Sequence, residues 1–304
     1  MNALSQQSYF DHKNTLWLEV TNFCNLNCAH CYNSSGSHES LVPLISTERY
    51  EQIIDEASEL QFMGIQFIGG ELFFYPYLQR LLNHALNRKF DHIELFSNMT
   101  VLPRWLFETR YRKLHLATSL YSDDPAVHDR ICNHRGSFDR TAKSIRRVIE
   151  AGFTLRVGFI EMSSNKGHFE RTQAYLCSLG VTKVGYDAAR QFGRGAQGAT
   201  PDMNQLCGKC GNGNLSIDVN GNVAACIMSK PWTFGNVCKE NLATIFDSWE
   251  RRRFVNQMNL LRKRNELLPT ETIAQCGPGT CNPNCEPATD CKPKNPQLVS
   301  SLYN

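Results

Sequence analysis

The chain has 304 residues, of which 41% are hydrophobic and 20% charged, a globular composition long enough for one barrel-sized domain or for one large and one small domain. A formal net charge of +3 implies no strong polyanion partner, so no nucleic acid is expected. No apolar run reaches membrane-spanning length, and the opening MNALSQQSYFDHKN lacks the apolar core of a signal peptide, so no membrane contact and a cytoplasmic location are expected.

The first two thirds alternate strand and helix patterns. Thr15–Thr21 reads as a strand, and Thr47–Phe62 as a helix with Tyr50, Ile53, Ile54, Ala57 and Leu60 at helical spacing. Ile65–Ile68 is a short apolar strand that ends in Gly69-Gly70, followed by helix Pro76–Asn87. Strand His92–Phe96, helix Pro103–Thr109, strand Leu114–Leu120 and helix Phe138–Glu150 come next, then strand Leu155–Glu161, helix His168–Leu179 and strand Lys183–Asp187. These make about six strand–helix units, the pattern of a parallel sheet with helices outside, closed or nearly closed into a barrel. The expected fold is α/β, a partial (β/α)6 TIM-like barrel over residues 1–200 with a small cysteine-rich extension over 201–304. Gly-rich Gln191–Pro201 is the linker or a mobile loop, Asn220-Gly221 marks a hairpin between Leu215–Val219 and Val223–Ile227, and Leu242–Leu268 reads as one helix with a solvated basic face. The tail from Cys276 is too polar to fold by burial and is expected to fold around metal.

Thirteen cysteines without a secretion signal point to metal rather than to disulfides. Three lie in Cys24-Asn-Leu-Asn-Cys28-Ala-His-Cys31, directly after the first strand. Loops at that end of a parallel barrel carry active sites. Thiolates are the preferred ligands of iron–sulfur centres, and three thiolates on four irons leave one iron open for chemistry. A zinc knuckle is the competing reading, with His38 or His12 as the fourth ligand. Cys207, Cys210, Cys226, Cys238, Cys276, Cys281, Cys285 and Cys291 crowd the last third, where zinc again competes with iron–sulfur. Cys132 and Cys177 stand alone and read as packed core thiols.

The C-x-x-x-C-x-x-C run, with His30 at a position that is often aromatic, resembles the radical S-adenosylmethionine superfamily. The resemblance implies a [4Fe-4S] cluster on Cys24, Cys28 and Cys31 whose open iron chelates S-adenosylmethionine. Gly69-Gly70-Glu71 matches the motif that meets the cofactor's methionine amino group, with Leu72 where proline is usual. By the same resemblance Ser97, Asn98 and Ser119 are candidates for ribose or carboxylate contacts, with helix capping as their alternative role. Arg156, and Arg190 or Arg194, are candidates to hold a carboxylate. Cys207, Cys210-x10-Gly221 and Cys226 resemble the SPASM extension, which carries one or two auxiliary [4Fe-4S] clusters. Cys276, Cys281, Cys285 and Cys291 depart from the usual spacing of the second SPASM run, which leaves their assignment open.

Such relatives mostly modify ribosomally made peptides by crosslink, thioether or epimerisation. A sugar or aminoglycoside substrate and a non-catalytic iron–sulfur or zinc module are the alternatives. Cys238, then Cys276, are the candidate hydrogen donors if the reaction is an epimerisation. Asp123, Asp124 and His128 either face a substrate or open a helix. The resemblance also implies an electron donor such as flavodoxin or ferredoxin. Only about two dozen residues precede Cys24, so the expectation is either a separate leader-peptide-binding protein as partner or a small substrate, which keeps the sugar alternative open.

Overall fold

The computed structural model describes residues 14–108, 114–208, 210, 213–267 and 279–280. The alternating segments form β1 (Thr15–Glu19), α1 (Thr47–Glu59), β2 (Gly64–Ile68), α2 (Leu78–Leu86), β3 (His92–Phe96), α3 (Trp105–Glu108) and β4 (Leu114–Ser119). They continue with α4 (Pro125–Cys132), α5 (Ser137–Glu150), β5 (Thr154–Glu161), α6 (Phe169–Ser178) and β6 (Lys183–Ala188). After the Gly-rich segment come β7 (Leu215–Ile217), β8 (Asn222–Ala224), β9 (Gly235–Asn236), α7 (Leu242–Phe246), α8 (Trp249–Leu267) and β10 (Gly279–Thr280).

Strands β1 to β6 pair in parallel and in chain order, as a series of strand–helix units requires. Successive side chains of a strand point to opposite faces. Leu16, Leu18, Phe67, Ile93, Leu95, Leu116 and Val157 therefore join one core with Ile53 and Ile54 of α1, Leu81 and Leu82 of α2, and Ile145 and Val148 of α5. The intervening residues Trp17, Gln66, Phe96, Arg156, Gly158 and Lys183 face the other way and line a cavity.

The cysteine-rich extension continues this sheet. β7 pairs in parallel with β1, with Leu18 opposite Ile217, and β8 and β9 follow antiparallel. Asp218 Oδ1 accepts from the backbone N–H of Asn220 and of Asn222, and Gly221 takes φ 84°, so the Asn-Gly hairpin turns where the sequence predicts. At the other end, β10 pairs antiparallel with β6.

Two helices differ from the sequence expectation. The stretch expected as one helix from Leu242 to Leu268 breaks after Phe246, because Ser248 Oγ accepts from the Arg251 N–H and caps a second helix. An additional helix, α4, separates β4 from α5. Asp124 caps it by accepting from the Ala126 N–H at 2.8 Å, Pro125 is its first residue, and Asn133 ends it at φ 50°. The helix-opening role of Asp124 is thus the one the structure shows, while Asp123 pairs with Arg171 at 2.7 Å.

Candidate active site

The segment after β1 is held from three sides. Backbone hydrogen bonds from Asn27 N to Cys132 O (3.1 Å) and from Ala29 N to Ile131 O (2.9 Å) fix it to the end of α4. Gly70 N donates to Thr21 O and Glu71 N to Phe23 O, both at 2.7 Å. On the third side, Arg194 donates from its backbone N to Cys31 O (2.9 Å), from Nε to Cys28 O (2.9 Å) and from Nη1 to Ser35 O (2.7 Å). Arg194 thus spends these donors on carbonyls of the triad segment, and it also lines the cavity.

The glycines have a steric reason. A Cβ on Gly70 would lie 2.1 Å from Phe23 O, and one on Gly69 would lie 2.4 Å from Thr21 O. Only glycine lets the end of β2 lie this close to the cysteine segment. Gly69 and Gly70 also line the cavity.

Cys24, Cys28 and Cys31 line one cavity of about 500 Å³ together with His30, Gly69, Gly70, Asn98, Ser119, Arg156 and Arg194. Burial, with the Glu71 carboxylate nearby, pushes the Cys24 thiol up to about 12. A hydrogen bond with Cys132, together with burial, holds the Cys28 thiol well above its ordinary value. Asn98 Nδ2 reaches Cys24 Sγ at 3.7 Å and donates to Asn25 Oδ1 at 2.9 Å, which ties the end of β3 to the triad. Burial, with Arg194 and His128 nearby, lowers His30 to about 4, so its ring is neutral at pH 7. Its Nδ1 is buried without a partner among the described residues.

Other expected residues are placed at or beside this cavity. Glu71 is fully buried, and its Oε1 accepts from Ser97 Oγ (2.7 Å) and Phe73 N (3.0 Å) while Oε2 accepts from Asn98 N (2.7 Å). Glu71 and Ser97 are therefore a tie between the ends of β2 and β3, and neither lines the cavity. Arg156 presents Nε and Nη2 to the Glu94 carboxylate at 2.8 and 2.7 Å. Arg190 holds Asp187, and its Nη1 donates to Gln205 O at 3.1 Å.

Sequence reasoning missed Cys132 as part of this site, whereas His128, one of the residues expected either to face a substrate or to open a helix, lines the cavity from within α4. Cys132 is buried in a small cluster with Cys24 and Leu26, as expected of a core thiol, and it also lines the cavity with Cys28, whereas Cys177, expected to be packed likewise, is exposed. Tyr121 N donates to His128 Nδ1, which leaves the proton on Nε2, 3.3 Å from Cys132 Sγ. Burial lowers His128 to about 4, consistent with that neutral ring. The signal available in the sequence was their i, i+4 spacing on the helix after β4.

A second thiol group forms at the hairpin. Cys210 hydrogen-bonds both Cys207 and Cys226, with Cys226 Sγ at 3.6 Å, and these contacts push the Cys210 thiol far up. Ile227 and Met228, which follow Cys226, line the main cavity. Cys238 is exposed and is not among the residues lining that cavity. Cys276, Cys281, Cys285 and Cys291 lie outside the described residues.

The donor set fits iron–sulfur chemistry. Three cysteines line one cavity together with Gly69 and Gly70 and with His30, whose Nδ1 is an orphaned buried nitrogen, although among the described residues no three ligating side chains already converge as they would on a single metal ion. His38, one of the two expected fourth ligands of a zinc site, is exposed and pairs with Glu39 at 3.2 Å, and His12, the other, lies outside the described residues.

The chain matches the radical SAM superfamily over residues 18–163 and the SPASM iron–sulfur cluster-binding domain over residues 189–282. It belongs to the SPASM-type branch of the radical SAM superfamily, whose two domains imply a [4Fe-4S] cluster that works with S-adenosylmethionine and auxiliary iron–sulfur clusters. It is similar to the antilisterial bacteriocin subtilosin biosynthesis protein AlbA of Bacillus subtilis, at 26% identity over 265 residues, 76% of this chain and 58% of that protein. It is similar to the PqqA peptide cyclase of Granulibacter bethesdensis at 25% identity over 186 residues, 59% of this chain and 48% of that protein. The chain thus spans about half the length of these relatives. In fold it resembles Streptococcus suis SuiB bound to the precursor peptide SuiA, with a TM-score of 0.66 at 13% identity, covering 80% of this chain and 66% of that one. Among the described residues no helix is long and apolar enough to cross a membrane.

The Glu71 tie yields a prediction. Glu71→Gln turns an amide NH2 toward one of three donors and is expected to cost about 1–3 kcal/mol of stability, read by urea unfolding of the cluster-free chain. Burial outweighs the three hydrogen bonds and raises the Glu71 carboxyl from 4.5 to about 7. A raised folded value stabilises below the unfolded value and is lost as pH rises. The native chain is therefore expected to lose this contribution between pH 4.5 and about 7, a slope that the glutamine variant lacks.

Proposed function

We infer that the chain is a radical S-adenosylmethionine enzyme that modifies a ribosomally made peptide by crosslink, thioether formation or epimerisation. The observation that carries this reading is one cavity of about 500 Å³ lined both by the three triad cysteines and by Ile227 and Met228, the residues that follow Cys226. That volume admits a cofactor together with one or a few side chains of a peptide. The names of similar proteins agree, since AlbA serves bacteriocin biosynthesis, PqqA cyclase acts on a peptide and SuiB is seen with a precursor peptide.

When bound, a reduced [4Fe-4S] cluster supplies reductive cleavage of S-adenosylmethionine to a radical that removes a hydrogen atom from the substrate. Cys24, Cys28 and Cys31 would hold that cluster. Gly69 and Gly70 would admit the cofactor close to the backbone, Asn98 and Ser119 would offer it polar contacts, and neutral His30 would cover it. Cys207, Cys210 and Cys226 would hold an auxiliary cluster, with ligands from the tail. Residues 1–200 and 201–304 would be the core and the auxiliary-cluster domain.

The test is anaerobic incubation of the reconstituted chain with S-adenosylmethionine, a reductant and short peptides encoded beside its gene. We expect 5′-deoxyadenosine in amounts that rise with one such peptide, and that peptide altered in mass or in residue stereochemistry. No 5′-deoxyadenosine from fully loaded protein sinks the radical assignment. A response to aminoglycosides and to no peptide sinks the substrate assignment alone.

A further inference from the structure

Lys230 lies where the two thiol groups approach each other. It follows Cys226 by four residues, on a turn closed by Cys226 N to Ser229 Oγ at 2.8 Å and Ser229 N to Cys226 O at 3.0 Å. Its Nζ donates both to Glu19 Oε2, at the end of β1, and to Asn33 Oδ1, two residues after Cys31. Asn33 in turn donates to Asn22 Oδ1 at 2.9 Å and to Ser35 Oγ at 3.2 Å, and so holds both ends of the triad segment. One ammonium thus joins the strand before the triad, the segment after it and the turn that carries Cys226.

Tyr32 stands beside this junction. Its ring centre lies 5.8 Å from Lys230 Nζ, the side chain is half-buried, and Glu19, Cys31 and Cys226 are among its electrostatic neighbours. Tyr32, Ile227 and Met228 line both the main cavity and a second one of about 290 Å³, which Lys230 also lines. Tyr32 Oη and Glu19 Oε1 are buried without a hydrogen-bond partner among the described residues. A buried carboxylate with one oxygen unmatched is costly to keep for stability alone.

We propose that Lys230 is a positioning residue that fixes the Cys226 turn against the triad segment, and so sets the spacing between the two iron–sulfur sites. The inference rests on the reading that both thiol groups carry clusters. Lysine suits the position because three donors on a long stem can reach Glu19 and Asn33 together.

The test uses the loaded, fully reduced protein and electron paramagnetic resonance. The native chain is expected to show faster spin relaxation at each cluster than variants that hold one cluster alone, the signature of two paramagnets at fixed short range. Lys230→Met is expected to lose most of that enhancement at unchanged iron content, and Lys230→Arg to keep it. Lys230→Met leaves Glu19 buried and unpaired, so a Glu19→Gln, Lys230→Met double variant is measured beside it and is expected to lose the enhancement as well. Native relaxation in the double variant overturns the proposal, as does an arginine variant that loses as much as the methionine one. Iron in the native chain sufficient for one cluster only is read before any variant is made. That result fails the two-cluster reading, and the proposal with it.

Discussion

Cys28→Ala is expected to abolish 5′-deoxyadenosine formation, by at least about 10³-fold, the scale on which loss of one member of a catalytic unit acts. The structure separates this from misfolding. The backbone on both sides of Cys28 is held by Asn27 N to Cys132 O and Ala29 N to Ile131 O, bonds that the side-chain change leaves in place. The variant should therefore keep native helix content and thermal unfolding while it loses about four irons per chain, the content of one [4Fe-4S] cluster. Iron at the hairpin should remain, because Cys207, Cys210 and Cys226 form a separate group. Cys132→Ala is the control. Cys132 shares the cavity and hydrogen-bonds Cys28, yet its own neighbour is the His128 ring at 3.3 Å. It should keep a full complement of iron. Equal iron loss in both variants would mean that four thiols rather than three hold the metal, and the open iron would be gone.

The strands and their order follow from period-two apolar runs, and their boundaries differ from expectation by one or two residues in most cases. The triad and the glycine pair were visible because their spacing is local and each lies at the end of a strand. What the sequence could not supply is what register decides. Glu94 and Arg156 are 62 residues apart and stand two strands apart on the sheet. They meet because Ala117, the β4 residue paired with Arg156, presents only a methyl group. A guanidinium read along the chain has no visible partner, so Arg156 seems free for a cofactor carboxylate only until the register is known. Glu71 was likewise read from its motif, whereas its three donors come from the next strand end and its own turn. Lys230 carries no motif at all. Its role depends on β7 joining β1, which brings the Cys226 turn beside the triad segment.

Arg156→Met is expected to destabilise the chain by about 3–5 kcal/mol, the usual cost of removing one partner of a buried ion pair. Glu94 retains only 5% of its side-chain exposure and Arg156 19%, and the pair is bidentate. Gln66 Nε2 also donates to Glu94, but a neutral amide does not replace the lost charge. The variant takes the bidentate partner from a nearly fully buried carboxylate and leaves it the Lys183 ammonium as a neighbouring charge. Glu94→Gln, Arg156→Met replaces both charges and should recover most of the loss, because the desolvation of the carboxylate then disappears along with its partner. Urea unfolding of the two variants and of Glu94→Gln closes the cycle. The same variants decide what Arg156 does for the cofactor. If its guanidinium serves Glu94, the double variant binds S-adenosylmethionine as the native chain does. A double variant that is stable but binds S-adenosylmethionine at least tenfold more weakly would return Arg156 to the cofactor's carboxylate, and Glu94 would then be the residue that orients it.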